Sequence, residues 1–296
     1  MKIGISSYSF TKHMKNTGAS YADICDIAKR VGFDGIEFTD LDTSHQAADS
    51  IEQLARDIRV HCDNIGLEII AYTVSADFLS DSQETEKVMR KVDIAAILGV
   101  PVLRHDATWK MPEGMGWLEA IDVIKQPIRD VTVYAEKKGI RTCTENHGYF
   151  LQDALRVEAL IKAVDHPNYG WLVDMGNFLC VDEPALYAMP IAAPYAFHAH
   201  AKDFLYKPAW EENPGQGWFP SRNGSYLRGT VVGHGVVPIP FCVNELKKSG
   251  YDGWLSYEFE GMEENLPAIE AGYQYLRKVV DSIYSNFTKH SPYVIL

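Results

Sequence analysis

Five glycines sit at matching places in this chain, each closing an amphipathic stretch just before a short apolar run. They are Gly32, Gly66, Gly99, Gly139 and Gly250. Glycine is favoured just past a helix end because it can take a positive φ there. The runs that follow are rich in Ile, Val and Tyr and only four to nine residues long, which is strand length. Helix, glycine, strand, repeated along a chain, is the punctuation of parallel β/α units.

Eight such units can be counted. The strands are read at KIGISSY (2–8), GIEF (35–38), LEIIAYTV (67–74), PVLRHD (101–106), IRTCTE (140–145), YGWLVD (169–174), YAFHAHAK (195–202) and DGWLSYEFE (252–260). Helices are predicted over about 19–32, 44–66, 82–99, 116–139, 151–164, 183–189, 240–250 and 265–285. Eight units in 296 residues argue for a closed (β/α)8 barrel in a single domain spanning residues 1–296. A doubly wound open sheet is the competitor, but no GxGxxG follows the first strand. One connection is out of proportion. Residues 204–235, after the seventh strand, carry Trp210, Trp218, Phe219, Tyr226 and two arginines among many Gly, Pro and Asn. A loop of that length reads as a lid or a subunit contact, and its aromatics are compatible with a homodimer or tetramer.

Charge narrows the partners. Lys and Arg number 28 against 40 Asp and Glu, a formal charge of −12. That is a poor start for gripping nucleic acid or an anionic membrane. No apolar run reaches a membrane span, and MKIGISSYSF has no signal-peptide pattern. The five cysteines are scattered and form no CxxC pair, as reduced thiols of a cytoplasmic protein would be.

In such a barrel the chemistry sits at the C-terminal ends of the strands. The fifth strand ends in Glu145, the sixth in Asp174 and the eighth in Glu258. The seventh carries His198, His200 and Lys202 at alternate positions, hence on one face. Three converging carboxylates would repel one another unless a cation joined them. With one histidine they make a mixed O/N shell for Mn²⁺, Mg²⁺, Co²⁺ or Zn²⁺, the other histidine orienting it. Lys202 could steady a developing oxyanion. Glu37, His105 beside Asp106, and His147 are further candidates for substrate contact. Glu260 is the rival to Glu258.

GFDGIEF, TCTENHG, LVDMGN, HAHAKD and GYDGWLSYEFEG, in this order and spacing, resemble the xylose isomerase-like TIM barrel family of sugar isomerases and epimerases over essentially the whole chain. The resemblance implies Glu145, Asp174, His200 and Glu258 as ligands of Mn²⁺ or a similar ion holding two adjacent sugar oxygens, with His198 nearby. It implies Glu145 and Glu258 as the acid/base pair moving a proton next to a carbonyl through an enediolate. The chain departs from the ketose 3-epimerase pattern at two substrate-contacting positions, having Asn177 where those enzymes carry His and Tyr206 where they carry Arg. The resemblance therefore implies an isomerase or epimerase of a small sugar or keto-sugar derivative. The alternatives are a lyase of the inosose dehydratase type, an enzyme acting on 3-keto sugars or glycosides, and a non-catalytic sugar-binding subunit. An endonuclease IV-type nuclease would need more histidines and a basic face.

Overall fold

The computed structural model describes residues 1–44, 46, 48–109 and 113–289. Eight parallel strands close into a barrel in the order β1-β11-β7-β6-β5-β4-β3-β2. These are β1 (Lys2–Ser6), β2 (Gly35–Thr39), β3 (Glu68–Val74), β4 (Val102–His105), β5 (Arg141–Glu145), β6 (Tyr169–Asp174), β7 (Ala196–Ala201) and β11 (Trp254–Tyr257). Around them run α2 (Tyr21–Val31), α3 (Ile51–Ile65), α4 (Glu84–Leu98), α5 (Trp117–Glu136), α6 (Ala154–Val164), α7 (Ala185–Ala192), α8 (Ile239–Lys248) and α9 (Asn265–Lys289). Each was expected from the sequence, within about four residues at its ends, except that α3 begins at Ile51, well after the expected start at 44. The punctuating glycines behave as read: Gly32 and Gly99 cap their helices at φ of 112° and 74°, where an L side chain is strained. At the start of α2, Ser20 and Asp23 form a reciprocal capping box.

Two elements were not anticipated. A short helix, α1 (Thr11–Thr17), follows β1. None of its residues is buried, so it carries no apolar stripe to read. The second is the long connection after β7, which is a small antiparallel sheet instead of a bare loop. It contains β8 (Asp203–Lys207), β9 (Phe219–Pro220) and β10 (Tyr226–Thr230), in the order β8-β10-β9. Phe204 and Leu227 bury themselves with Cys180 and Phe219 to give it a core of its own. Arg222 ties it to the barrel, pairing with both oxygens of Asp153 at 2.6 and 2.9 Å.

Inside the barrel each inner face changes character along the strand. The first inward positions are apolar or small. Ile70, Ala71, Val102, Cys143 and Leu172 pack into a buried plug with Phe197 and Trp254. The inward positions that follow are polar: Arg104 after Val102, Glu145 after Cys143, Asp174 after Leu172. The plug closes the bottom of the barrel and forms the floor under its polar end. Ile70 fits because its neighbours lack side chains. A Cβ at Gly35 would lie 2.5 Å from Ile70 Cγ2 and 2.8 Å from the Glu68 carbonyl oxygen. The carbonyl belongs to the sheet ladder and cannot swing away. Gly35→Ala should therefore destabilise the protein by about 1–3 kcal/mol, read as a lower thermal midpoint with unchanged secondary structure.

Candidate active site

The register places the polar side chains at one level. Asp174 pairs with His200 across β6 and β7, and His200 with Ser256 across β7 and β11. The backbone N–H of Glu258 continues that ladder, donating to the Ala201 carbonyl at 3.0 Å. Glu145, Asp174, His200 and Glu258, all buried, each offer one donor atom, and these four atoms lie within 4.8 Å of one another. His200 Nδ1 is 3.6 Å from Glu258 Oε2, 3.7 Å from Asp174 Oδ2 and 4.0 Å from Glu145 Oε1. These separations are too long for good hydrogen bonds. Asp174 Oδ2 and His200 Nδ1 are fully buried with no hydrogen-bond partner. Orphaned buried acceptors are costly, and here they face the same point.

Each donor is aimed by a fixed partner. Asp174 Oδ1 accepts the backbone N–H groups of Gly176 and Asn177, both at 2.8 Å, which leaves Oδ2 for the cluster. Asn146 anchors that strand end, donating to the Asp174 carbonyl and accepting from Asp174 N and Trp171 Nε1. Asn177 Nδ2 donates to Glu145 Oε1 at 2.9 Å. Behind the histidines lies Glu37, with no exposed surface. Its Oε2 takes a hydrogen bond from His198 Nε2 at 2.6 Å. Its Oε1 lies 2.8 Å from His200 Nε2, a close carboxylate–imidazole contact with poor hydrogen-bond alignment. An ionised carboxylate only accepts, so it favours a proton on His200 Nε2 and turns Nδ1 to the cluster. Burial opposes a second proton, yet Glu37 and Glu258 hold the imidazole's pKa well above its ordinary value, and a bound cation would take that proton's place.

Two cations flank the group. Arg104 Nη2 lies 2.7 Å from Glu145 Oε2 and 2.5 Å from Asp106 Oδ1. Lys202 Nζ lies 2.5 Å from Glu258 Oε2 and 3.3 Å from Glu260 Oε2. The two glutamates are thereby driven apart. Burial raises the Glu145 carboxyl, and Arg104 only partly offsets it. Burial would also raise Glu258, but Lys202 and His200 hold it well below the usual carboxylate range. Burial likewise opposes ionisation of Glu37, yet His200 and His198 keep its carboxyl low.

A cavity of about 370 Å³ opens above this group, reaching Glu145, His200, Lys202 and Glu258 as well as His147, Tyr8, Trp109 and Glu260. His147 Nδ1 is 3.0 Å from Asp106 Oδ1. Four residues expected among the substrate contacts lie elsewhere. Glu37 and His198 sit beneath the cluster, bound to each other. Asn177 is buried against Glu145. His105 points outward from β4, its ring against Phe78 and Tyr169. Arg104 was missed in the sequence, although Val102, two residues earlier, is inward and Arg104 pairs in register with Cys143. A second hollow of about 330 Å³, beside α1, holds none of these donors.

Three carboxylates and an imidazole, with Asp174 Oδ2 and His200 Nδ1 lacking hydrogen-bond partners, fit a divalent cation. A model of the xylose isomerase-like TIM barrel family matches residues 25–279. The chain belongs to this family. Solved structures of the same architecture include a probable 3-DHS dehydratase of Bacillus anthracis involved in petrobactin synthesis (TM-score 0.72, 20% identity, 94% of this chain and 99% of that one). A second is a xylose isomerase-like TIM barrel protein of Mycobacterium smegmatis in complex with magnesium (0.70, 19%, 95% and 97%). A third is a 3-keto-D-glucoside 4-epimerase of E. coli (0.69, 15%, 94% and 99%). At these identities the likeness is one of fold. No curated protein matches the sequence.

Two outcomes follow. Glu37→Gln, which removes the negative charge between the two histidines and turns one acceptor oxygen into an NH₂ donor, should lower divalent-metal affinity about 10–100-fold, measured by metal titration of folded protein. His105 is held neutral by burial, its pKa pushed down from 6.5 to about 4. Below pH 6.5 the unfolded chain takes up a proton that the folded chain refuses, so stability is lost as pH falls from 6.5 through about 4. The advantage of wild type over His105→Gln in denaturant melts should shrink across that window.

Proposed function

We propose that this protein is a divalent-metal-dependent isomerase or epimerase that moves a proton next to the carbonyl of a small sugar or keto-sugar derivative. The observation that supports this most is the pair of orphaned buried donors, Asp174 Oδ2 and His200 Nδ1, converging with Glu145 and Glu258. Glu145, Asp174, His200 and Glu258 would hold the ion, Mn²⁺ in this reading, with Mg²⁺, Co²⁺ or Zn²⁺ as alternatives. When bound, it would act as a Lewis acid that makes the C–H beside a carbonyl more acidic.

The chain's own residues do the rest. Glu145 and Glu258 reach the cavity from strands separated by β6 and β7. One takes the proton and the other returns it. Lys202, lining the cavity, offsets negative charge developing on substrate oxygen. Asn177 and Arg104 hold the Glu145 carboxylate in place. Return to the neighbouring carbon gives isomerisation, and return to the opposite face gives epimerisation. Loss of a β-hydroxyl instead would make the protein a lyase. That second reading is favoured by His147, which faces the cavity with Asp106 behind it and could hand a proton to a departing hydroxyl.

Elemental analysis of wild type beside His200→Ala should find near-stoichiometric divalent metal in the first and its loss in the second. In deuterated water, metal-loaded wild type should catalyse C–H exchange in keto sugars. Glu145→Gln and Glu258→Gln should each slow it by about 10²–10⁴-fold. Unchanged product mass, after allowing for deuterium, identifies an isomerase or epimerase, and a loss of water identifies a lyase. Metal binding and sugar binding without exchange would leave a non-catalytic binding protein.

A further inference from the structure

Barrels of this architecture often hold a substrate phosphate in the loops after their last two strands, against backbone N–H groups and a helix N-terminus. Here that cradle exists and is full. Asp203, 1% exposed, follows β7. Its Oδ1 accepts the backbone N–H groups of Phe204 and Val237 at 2.9 and 3.0 Å. Its Oδ2 accepts those of Gly233 and Gly235, both at 2.9 Å. The loop that supplies three of these donors leads directly into α8. It closes tightly on the carboxylate, since a Cβ at Gly235 would lie 2.2 Å from Asp203 Oδ1. Four N–H groups converging on one anion form a nest of the kind that binds phosphate. The anion in this one is the chain's own.

The cavity carries the same sign. Besides the metal-competent group, Asp40, Asp106 and Glu260 line it. Among the described residues, the cationic side chains lining it are Arg104 and Lys202, and both are already engaged by carboxylates. Asp40 has its own partner, Lys91, at 2.8 Å. Counting Asp174, six carboxylates stand against these three cations, so a divalent ion would still leave an excess of negative charge. A phosphate or carboxylate would enter against that excess in a poorly screened site. Hydroxyl and carbonyl groups would meet Tyr8, Thr39, Thr73 and Ser75 on the same walls.

We propose that the site takes an uncharged polyhydroxylated carbonyl compound rather than a sugar phosphate or an acid, and that Asp203 occupies the place of a substrate phosphate. The substrate class rests on the enzyme reading above; the filled cradle is tested without it. Thermal melts of wild type and Asp203→Ala are compared in phosphate, acetate and chloride at matched ionic strength. Wild type should gain nothing from phosphate over chloride. The variant should regain roughly 2–4 °C with phosphate or acetate. If Asp203→Ala does not fold, Asp203→Ser, which also vacates the cradle but keeps one small acceptor oxygen, takes its place in the same melts. Saturable phosphate stabilisation of wild type, or no anion response in a folded variant, would overturn the assignment of the cradle. Metal-loaded wild type is then given neutral keto sugars and their phosphate esters in deuterated water. Exchange should be at least about tenfold faster in the neutral member of a pair, and the reverse order would overturn the substrate class. Exchange in neither member, with metal bound, counts against the enzyme reading and so against the substrate class resting on it, while the melts judge the cradle separately.

Discussion

Mutual repulsion among buried carboxylates is the constraint around which the polar end of this barrel is organised. Glu145, Asp174 and Glu258 converge within a few ångströms of His200, where water cannot screen them. Removing charges from water costs several kcal/mol for each ion unless partners compensate. The chain supplies part of that compensation from outside the cluster, with Arg104 on Glu145 and Lys202 on Glu258. It leaves Asp174 Oδ2 and His200 Nδ1 without hydrogen-bond partners on the inside. The remaining imbalance is what suits the site to a divalent cation.

Orientation is distributed over several strands. Asn146 holds the end of β6, backbone N–H groups hold one oxygen of Asp174, and Glu37 spans the two histidines of β7. Beneath them the apolar plug supports the same inward faces two residues earlier. A side chain at this level is therefore placed both by its partners and by the packing of the strand below it. Gly35 belongs to that support, since the space it leaves is filled by Ile70.

Different parts of this arrangement were legible to different degrees. The eight β/α units could be read because each depends on local pattern: an apolar stripe, a glycine, a short strand. Period-two spacing put His198 and His200 on one face correctly. The same spacing turns Arg104 inward with Val102 and His105 outward, but a buried arginine is tolerated only because Asp106 and Glu145 meet it, and the second of these comes from another strand. The sheet after β7 was hidden because its pairing is non-local and its strands are short. The role of Glu37 was hidden for the same reason, its partner His198 being 161 residues away.

The sequence by itself determined the barrel, its strand order along the chain, and the set of residues at the strand ends. Those follow from periodicity and turn chemistry, which act over a few residues. Tertiary structure alone decided what each polar group faces. It turned Glu37, His198 and Asn177 inward to orient other groups, brought Arg104 and Lys202 against the glutamates, and closed a backbone cradle on Asp203. Such assignments depend on register and on contacts across the barrel, where a shift of one residue would send each side chain to the opposite face.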